Sequence, residues 1–269
     1  MPRPAIALHV PLASWGSRLR RALPSRRLEL VGPKLLASLA DSQPAVSFVE
    51  IGAHDGTQGD LLRPFILARP WTGVMVEPLP HLFERLRRNY AGIERVRLEN
   101  AAISDHDGSV RMHYLPPVDD PEREGLPFWY DEIGSLSRAA VLRHRGGIPD
   151  LDGRLLSANV ACMTFESLCA RHEVAELDVL AIDAEGHDAV ILGGVDFDVH
   201  RPQVVVYEHL HLGPRDRAEC RAHLEKHGFE TQEEGFNTWC IHERAADALH
   251  RTWRRLRWRV PGMSAHDEE

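Results

Sequence analysis

The residues able to do chemistry in this chain fall into five short clusters. The first is Val49-Glu50-Ile51-Gly52-Ala53-His54-Asp55-Gly56. Glu77-Pro78, Glu99-Asn100-Ala101-Ala102, Asp183-Ala184-Glu185-Gly186-His187 and Glu208-His209-Leu210-His211 follow. Each cluster comes directly after an apolar run of strand length, so each stands at a strand's carboxyl end. In open parallel sheets ligands bind at those ends, near the point where strand order reverses. Five ends each carrying an acid, an amide or a histidine are more than a purely structural sheet needs, and they predict a site.

Gly52 and Gly56 allow positive φ and close passage of backbone past a ligand. Their pattern, E-x-G-x-x-x-G, lacks the G-x-G-x-x-G spacing that seats a pyrophosphate on a helix N-terminus. Glu50 and Asp55 would repel a diphosphate, whereas they attract the amino and sulfonium groups of S-adenosylmethionine. Glu77, 25 positions after Gly52, is placed to accept two hydrogen bonds from a ribose diol, a geometry that also serves NAD. Asn100 and its neighbours would meet an adenine edge. Without a ligand, the same glycines read simply as turn formers.

If such a cofactor passed its methyl group to an alcohol, a base would help, because the hydroxyl pKa lies far above 7. The candidates are His209, His187, Asp183 and His54. His209 is the first choice, since histidine titrates near neutrality, with Asp183 orienting base or acceptor. Either histidine also reads as an ordinary hydrogen-bonded group at a strand end. Asp183, Glu185, Glu208, His209 and His211 would suit a hard cation such as Mg²⁺. No dense ligand spacing of the H-E-x-x-H kind occurs, so a divalent cation is not favoured, zinc is expected still less, and no metal ligand is assigned.

Positioning these groups requires strands at 46–51, 72–77, 95–99, 110–115, 178–183 and 203–208, and a closing antiparallel pair at 229–232 and 238–242. Helices are expected at 63–69, 80–90, 164–172 (Thr164 as N-cap), 188–192 and 214–227. The alternation predicts a mainly parallel sheet covered on both faces. Residues 12–40 hold two short helical patterns separated by Pro24 and Gly32-Pro33. Residues 116–160 are irregular and rich in Pro, Gly and Asp, and a loop this long is usually functional. Its Phe128, Trp129, Tyr130, Asp131, Glu132, Ser135 and Ser137 suit carbohydrate stacking and hydroxyl binding, so it is expected to lid the acceptor site. Residues 244–260 read as an amphipathic helix with Ala246, Leu249, Trp253, Leu256 and Val260 on one stripe, amid Arg251, Arg254, Arg255, Arg257 and Arg259. That helix would pack on the domain or a second subunit, or contact an anionic surface, either membrane headgroups or a charged carrier. The chain thus divides into a helical extension (1–45), a catalytic domain (46–243) and a basic tail (244–269).

Of 269 residues, 43% are hydrophobic, enough for a sizeable core, and the net charge is −8. Arginines crowd both ends, but no basic face runs across the chain, which argues against nucleic acid as a partner. Cys162, Cys169, Cys220 and Cys240 form no C-x-x-C pair and lie among apolar residues, so buried reduced thiols in a reducing cytosol are expected. No apolar run reaches the ~20 residues of a membrane span, and 6–12 make a poor signal peptide; a cytoplasmic location is expected.

The strings VEIGAHDG, GVMVEP, ENAAIS, MTFESL and DVLAIDAEGHDAVILGG resemble the FkbM family of S-adenosylmethionine-dependent methyltransferases, in order, over about residues 46–242. The I-D-x-E-G element is the most distinctive. The chain departs from the commoner pattern at His54, where Asn is frequent, and in a long loop before Pro64. The resemblance implies an α/β class I methyltransferase fold, a Rossmann-like, mostly parallel sheet of seven strands, the last antiparallel, with helices on both faces. It implies cofactor contacts by Glu50, Gly52, Asp55, Gly56, Glu77 and Asn100; His54, Pro78, Ala101 and Asp183 complete the expected pocket. It further implies O-methylation of a sugar, glycan or glycosylated natural product, with a small-molecule or oligosaccharide acceptor and a homodimer left open. Two readings compete. An NAD-dependent oxidoreductase is opposed by the missing third glycine and the acids in the loop. A non-catalytic binding protein is opposed by the five polar strand ends.

Overall fold

The computed structural model describes residues 31–118 and 120–256. The chain enters through helix α1 (Val31–Ser42), then strand β1 (Ser47–Ile51), α2 (Arg63–Ala68), β2 (Thr72–Val76), α3 (Pro80–Asn89) and β3 (Val96–Glu99). Next come β4 (Ala102–Ile103), β5 (Gly108–Tyr114), β6 (Gly134–Ser135), α4 (Arg138–Leu142), α5 (Leu151–Arg154) and β7 (Leu156–Met163). The remainder is α6 (Phe165–Arg171), β8 (Val179–Ile182), α7 (Asp188–Gly193), β9 (Val204–Glu208), α8 (Pro214–Lys226), β10 (Phe229–Glu234), β11 (Asn237–His242) and α9 (Asp247–Leu256).

Seven strands make the main sheet in the order β10-β11-β9-β8-β1-β2-β3. Pairing is parallel from β9 through β3 and antiparallel on both sides of β11. Central strands are buried on both faces, which explains their continuous Val, Ile and Leu runs. Side chains alternate between two cores with period two. Phe48, Val179, Ala181, Val204, Val206, Trp239 and Ile241 face α1, α2 and α9. Val49, Ile51, Leu180, Ile182, Val205, Tyr207 and Cys240 face α6, α7 and α8. The strand order, the antiparallel last strand and the helices on both faces make this the expected class I methyltransferase fold.

Two expectations need correction. Gly32-Pro33 does not interrupt a helix, because both residues lie in the first turn of α1, where a missing N–H costs nothing. The Glu234 carboxylate accepts from the Val31 and Gly32 N–H groups, a favourable place for an anion. Gly32 is also required sterically: a Cβ there would lie 2.0 Å from the Trp239 ring. The helical pattern before residue 31 lies outside the described residues. Second, 116–160 is not one irregular loop. Its end already belongs to β7, part of a small sheet ordered β4-β7-β5-β6. The rest carries its own core of Leu126, Tyr130, Ile133, Val141, Ile148 and Leu151 around Leu115.

The four cysteines are free and buried. In α9 the stripe Leu249, Trp253 and Leu256 is fully buried against the α1 side of the core, Trp253 Nε1 donates to Glu230 at 2.9 Å, and Thr252 meets Ser38. That stripe is therefore covered by the domain itself. Arg257, Trp258, Arg259 and Val260 lie outside the described residues. No described helix is long and apolar enough to cross a membrane.

Candidate active site

The carboxyl ends of β1, β2, β8 and β9 open onto a cavity of about 630 Å³, within the range of small-molecule sites. The turn after β1 is set by backbone. Gly52 has φ 83°, and the Gly52 and Ala53 N–H groups both donate to the Val76 carbonyl. A Cβ on Gly52 would lie 1.7 Å from the Asp183 carbonyl oxygen, so only glycine lets the turn pass the end of β8. Gly56 (φ 69°) instead fits against Leu86 and Tyr90 of α3.

Glu77 is 4% exposed and lines the cavity. Its Oε1 accepts from the Leu79 N–H at 2.7 Å and its Oε2 from the His54 N–H at 3.1 Å. Burial pushes its carboxyl up to about 7, against those two donors and His54, which pull it down. A carboxylate has about four acceptor sites, so two remain. Glu50 lies deeper, with Oε2 buried and without a hydrogen-bond partner. Burial, then Asp60 and Asp183, raise its pKa well above the usual value. Asp60 is raised as well, chiefly by burial, although Tyr90, Leu62 and Arg63 donate to it. The cavity wall therefore gathers carboxyl groups that burial keeps protonated until a cationic or donor partner favours their ionised forms.

At the end of β8, Asp183 is exposed to the cavity. The turn beyond it carries Glu185 at φ 49° and Gly186 at φ 96°. Asp188, fully buried, holds this turn by accepting from the Ala184 and Gly186 N–H groups, and burial raises it to about 6. His187 also lines the cavity. Its Nε2 meets Ser104 Oγ at 3.1 Å, and burial holds its pKa below the usual value.

Of the residues expected at the site, Glu50, Gly52, His54, Glu77, Pro78, Ala101, Asp183 and His187 line this cavity. Asp55, Gly56, Asn100 and His209 are not among its lining residues. Asp55 turns back on its own loop, accepting from Thr57 and Gln58. Burial would raise it, but the His54 ring nitrogen 3.6 Å away and hydrogen bonds from Gln58 and Thr57 hold it well below the carboxylate range. Asn100 donates to the Glu77 and Pro78 carbonyls and so ties β3 to the end of β2. His209 is 1% exposed, its Nδ1 on Thr238 Oγ1 at 2.9 Å.

The segment between β5 and β7, an insertion with its own core, contributes Glu122, Phe128, Glu132 and Leu136 to the wall. Tyr130, expected to stack on a ligand, is fully buried in the insertion's own core. Ser135 donates to the Glu185 carbonyl and Ser137 caps α4. The sequence signals for Asp60, Asp188 and Glu132 were an acid beside a glycine-rich turn, an acid at a helix start and an acid in the loop. None of these is distinctive alone.

The model of the Methyltransferase FkbM domain matches residues 50–231. The 2-O-methyltransferase NoeI of Sinorhizobium fredii is 23% identical over 190 residues, covering 70% of this chain and 71% of NoeI. A methyltransferase FkbM structure from Methylobacillus flagellatus KT superposes with a TM-score of 0.45 at 11% identity over 74% of this chain, which spans 44% of that longer one. A methyltransferase from Geobacter sulfurreducens gives 0.41 at 14% identity over 90% of both chains. With the family match extending from Glu50 at the first strand end into β10, this chain belongs to the FkbM methyltransferase family.

Proposed function

We propose that the protein is an S-adenosylmethionine-dependent O-methyltransferase acting on a hydroxyl of a sugar, a glycan or a glycosylated natural product. The observation that carries this reading is the donor set of the cavity: a buried carboxylate with two acceptor sites left at Glu77, and a second acidic cluster at Glu50, Asp60 and Asp183. Glu77 suits the ribose diol, with Pro78 and Ala101 beside the base. The acidic cluster suits an ammonium, and the buried Glu50 Oε2 gains the partner it lacks. The same acids disfavour a dinucleotide's diphosphate, which leaves the NAD reading without support.

S-adenosylmethionine, when bound, supplies a methyl carbon on a positively charged sulfur, an excellent leaving group. What the chain must add is position, exclusion of water and a proton acceptor. Phe128 and Glu132 of the insertion offer an apolar face and a hydroxyl acceptor, a pairing suited to a sugar ring. His187 is the base: it lines the cavity, burial keeps its imidazole neutral, and Ser104 fixes one ring nitrogen. It would take up the proton that the acceptor's hydroxyl gives up as it is methylated. Asp183 orients the acceptor from the adjoining strand end. The sequence favoured His209, whose buried bond to Thr238 gives it a holding role within β9 and β11.

The name of NoeI as a 2-O-methyltransferase supports oxygen as the accepting atom. The test is transfer of labelled methyl from S-adenosylmethionine to sugar, oligosaccharide and lipid-linked acceptors, with mass detection of one added CH₂ per product. Label fixed on oxygen in one of these classes supports the proposal. Transfer only to nitrogen refutes it, as does no transfer to these three classes and to glycosylated natural products.

A further inference from the structure

We infer that His144, Glu185 and His211 form a binding site for a divalent transition-metal cation, zinc by the chemistry of its ligands, and that this metal fastens the insertion to the strand ends walling the cavity. The three residues come from separate parts of the chain. His144 lies in the 3₁₀ turn Arg143–Gly146 within the insertion. Glu185 follows β8 and His211 follows β9. Their ligating atoms all lie within 4.8 Å of one another. His211 Nε2 stands 2.9 Å from Glu185 Oε2, and the rings of His144 and His211 meet edge to face with centroids 5.4 Å apart.

Zinc bonds to nitrogen and oxygen are about 2.0–2.2 Å, so ligand atoms around a tetrahedral ion sit roughly 3.3 Å apart. The Glu185–His211 pair opens slightly to reach that spacing, and His144 closes in from the insertion. Glu208, 3.9 Å from His211, is within reach as a fourth ligand. Two imidazoles with a carboxylate are a zinc donor set, while Mg²⁺ prefers oxygen ligands and its own waters. This differs from the hard cation that the strand-end acids alone suggest, because the insertion brings in an imidazole.

The ligands are also held from behind, as metal ligands usually are. Ser135 Oγ donates to the Glu185 carbonyl at 2.7 Å, and Arg143 donates to the His211 carbonyl at 2.9 Å. Glu185 keeps a left-handed backbone (φ 49°), a conformation that persists in an L-residue only where its surroundings impose it. Gly186 permits the approach, since a Cβ there would already stand 3.2 Å from His211 Cβ. Glu185 lines the cavity, whereas His144 and His211 are not among its lining residues. The metal therefore lies in the wall and supports the acceptor side without entering methyl transfer.

Metal binding can be read without any methyl acceptor. The full chain is stripped with chelator, reloaded with Zn²⁺, desalted, and measured by elemental analysis and by the visible spectrum of the Co²⁺ form. The site predicts close to one zinc per chain, a tetrahedral cobalt spectrum, and slower proteolysis within 120–150 on loading. His144→Ala and His211→Ala should each weaken zinc by at least the roughly 10–100-fold that even an outer partner commands. Glu185→Gln, which keeps the shape, should weaken it as well. Circular dichroism checks that each variant is folded. Should a variant fail to fold, the wild-type stoichiometry, cobalt spectrum and proteolysis still decide. Retention of one zinc by the histidine variants, an octahedral cobalt spectrum, proteolysis unchanged by zinc, or no zinc on the wild type would each overturn the site.

Discussion

Glu77→Gln should weaken binding of S-adenosylhomocysteine by about 10- to 150-fold at pH 8. Each Glu77 oxygen already accepts one backbone N–H, from Leu79 and from His54. Glutamine keeps one oxygen and turns an NH₂ toward the other donor, so one internal bond and one ribose bond are lost. A hydrogen bond to a charged group contributes about 1.5–3 kcal/mol, and every 1.4 kcal/mol is tenfold in affinity. The pH dependence sharpens the test. Burial raises Glu77 from 4.5 to about 7, so the folded protein without nucleoside favours the protonated form. The stability this confers is full below pH 4.5 and is lost as pH rises through about 7. A ribose diol donates to the ionised form, so wild-type affinity should rise between pH 6 and 8, by at most about tenfold per unit, while the melting temperature of the free protein falls. Calorimetry and thermal melts over that range measure both, and the variant should show a shallower slope in each. A variant that binds within about twofold of wild type with the same slope would refute the ribose role of Glu77.

Three further outcomes follow from the same geometry. Gly52→Ala places a methyl group on the Asp183 carbonyl and in a left-handed backbone; it should destabilise the fold by about 1–3 kcal/mol and abolish nucleoside binding, and wild-type values in denaturation and calorimetry would contradict that. His187→Asn should lower kcat by roughly 10²–10⁴ with nucleoside affinity kept, whereas His209→Asn should cost about 1–3 kcal/mol of stability; steady-state kinetics beside urea melts separates the two, and the reverse pattern would restore His209 as the base. Trp253→Ala should cost about 3–5 kcal/mol, since that ring is fully buried against the α1 side of the core, and an unchanged urea midpoint would show that α9 is not integral to the domain.

The main sheet was legible because its strands are buried on both faces, so unbroken runs such as Val204-Val205-Val206 announce themselves. The strand ends were legible for the same reason: Glu50, Glu77 and Asp183 stand in or directly after runs that are apolar apart from their first residue. What stayed hidden depends on partners distant in sequence. The Thr238 hydroxyl that meets His209 comes from β11, 29 positions away. Asn100 turns to backbone carbonyls because β2 ends next to β3. Strand β7 escaped notice because it is exposed over much of its length, with Leu156 open to solvent and only Val160, Cys162 and Met163 facing inward. Tyr130 read as a binding aromatic because nothing local reveals that the insertion builds a core of its own. His144 carries no spacing to Glu185 or His211, and only the folded insertion brings the three together.

The most direct test is a crystal structure of the protein grown with S-adenosylhomocysteine. The account predicts ribose hydroxyls on the Glu77 carboxylate, the amino group among Glu50, Asp60 and Asp183, and the sulfur turned toward His187 and the insertion. A nucleoside bound elsewhere, or a cavity filled by the protein's own side chains at saturating ligand, would contradict it.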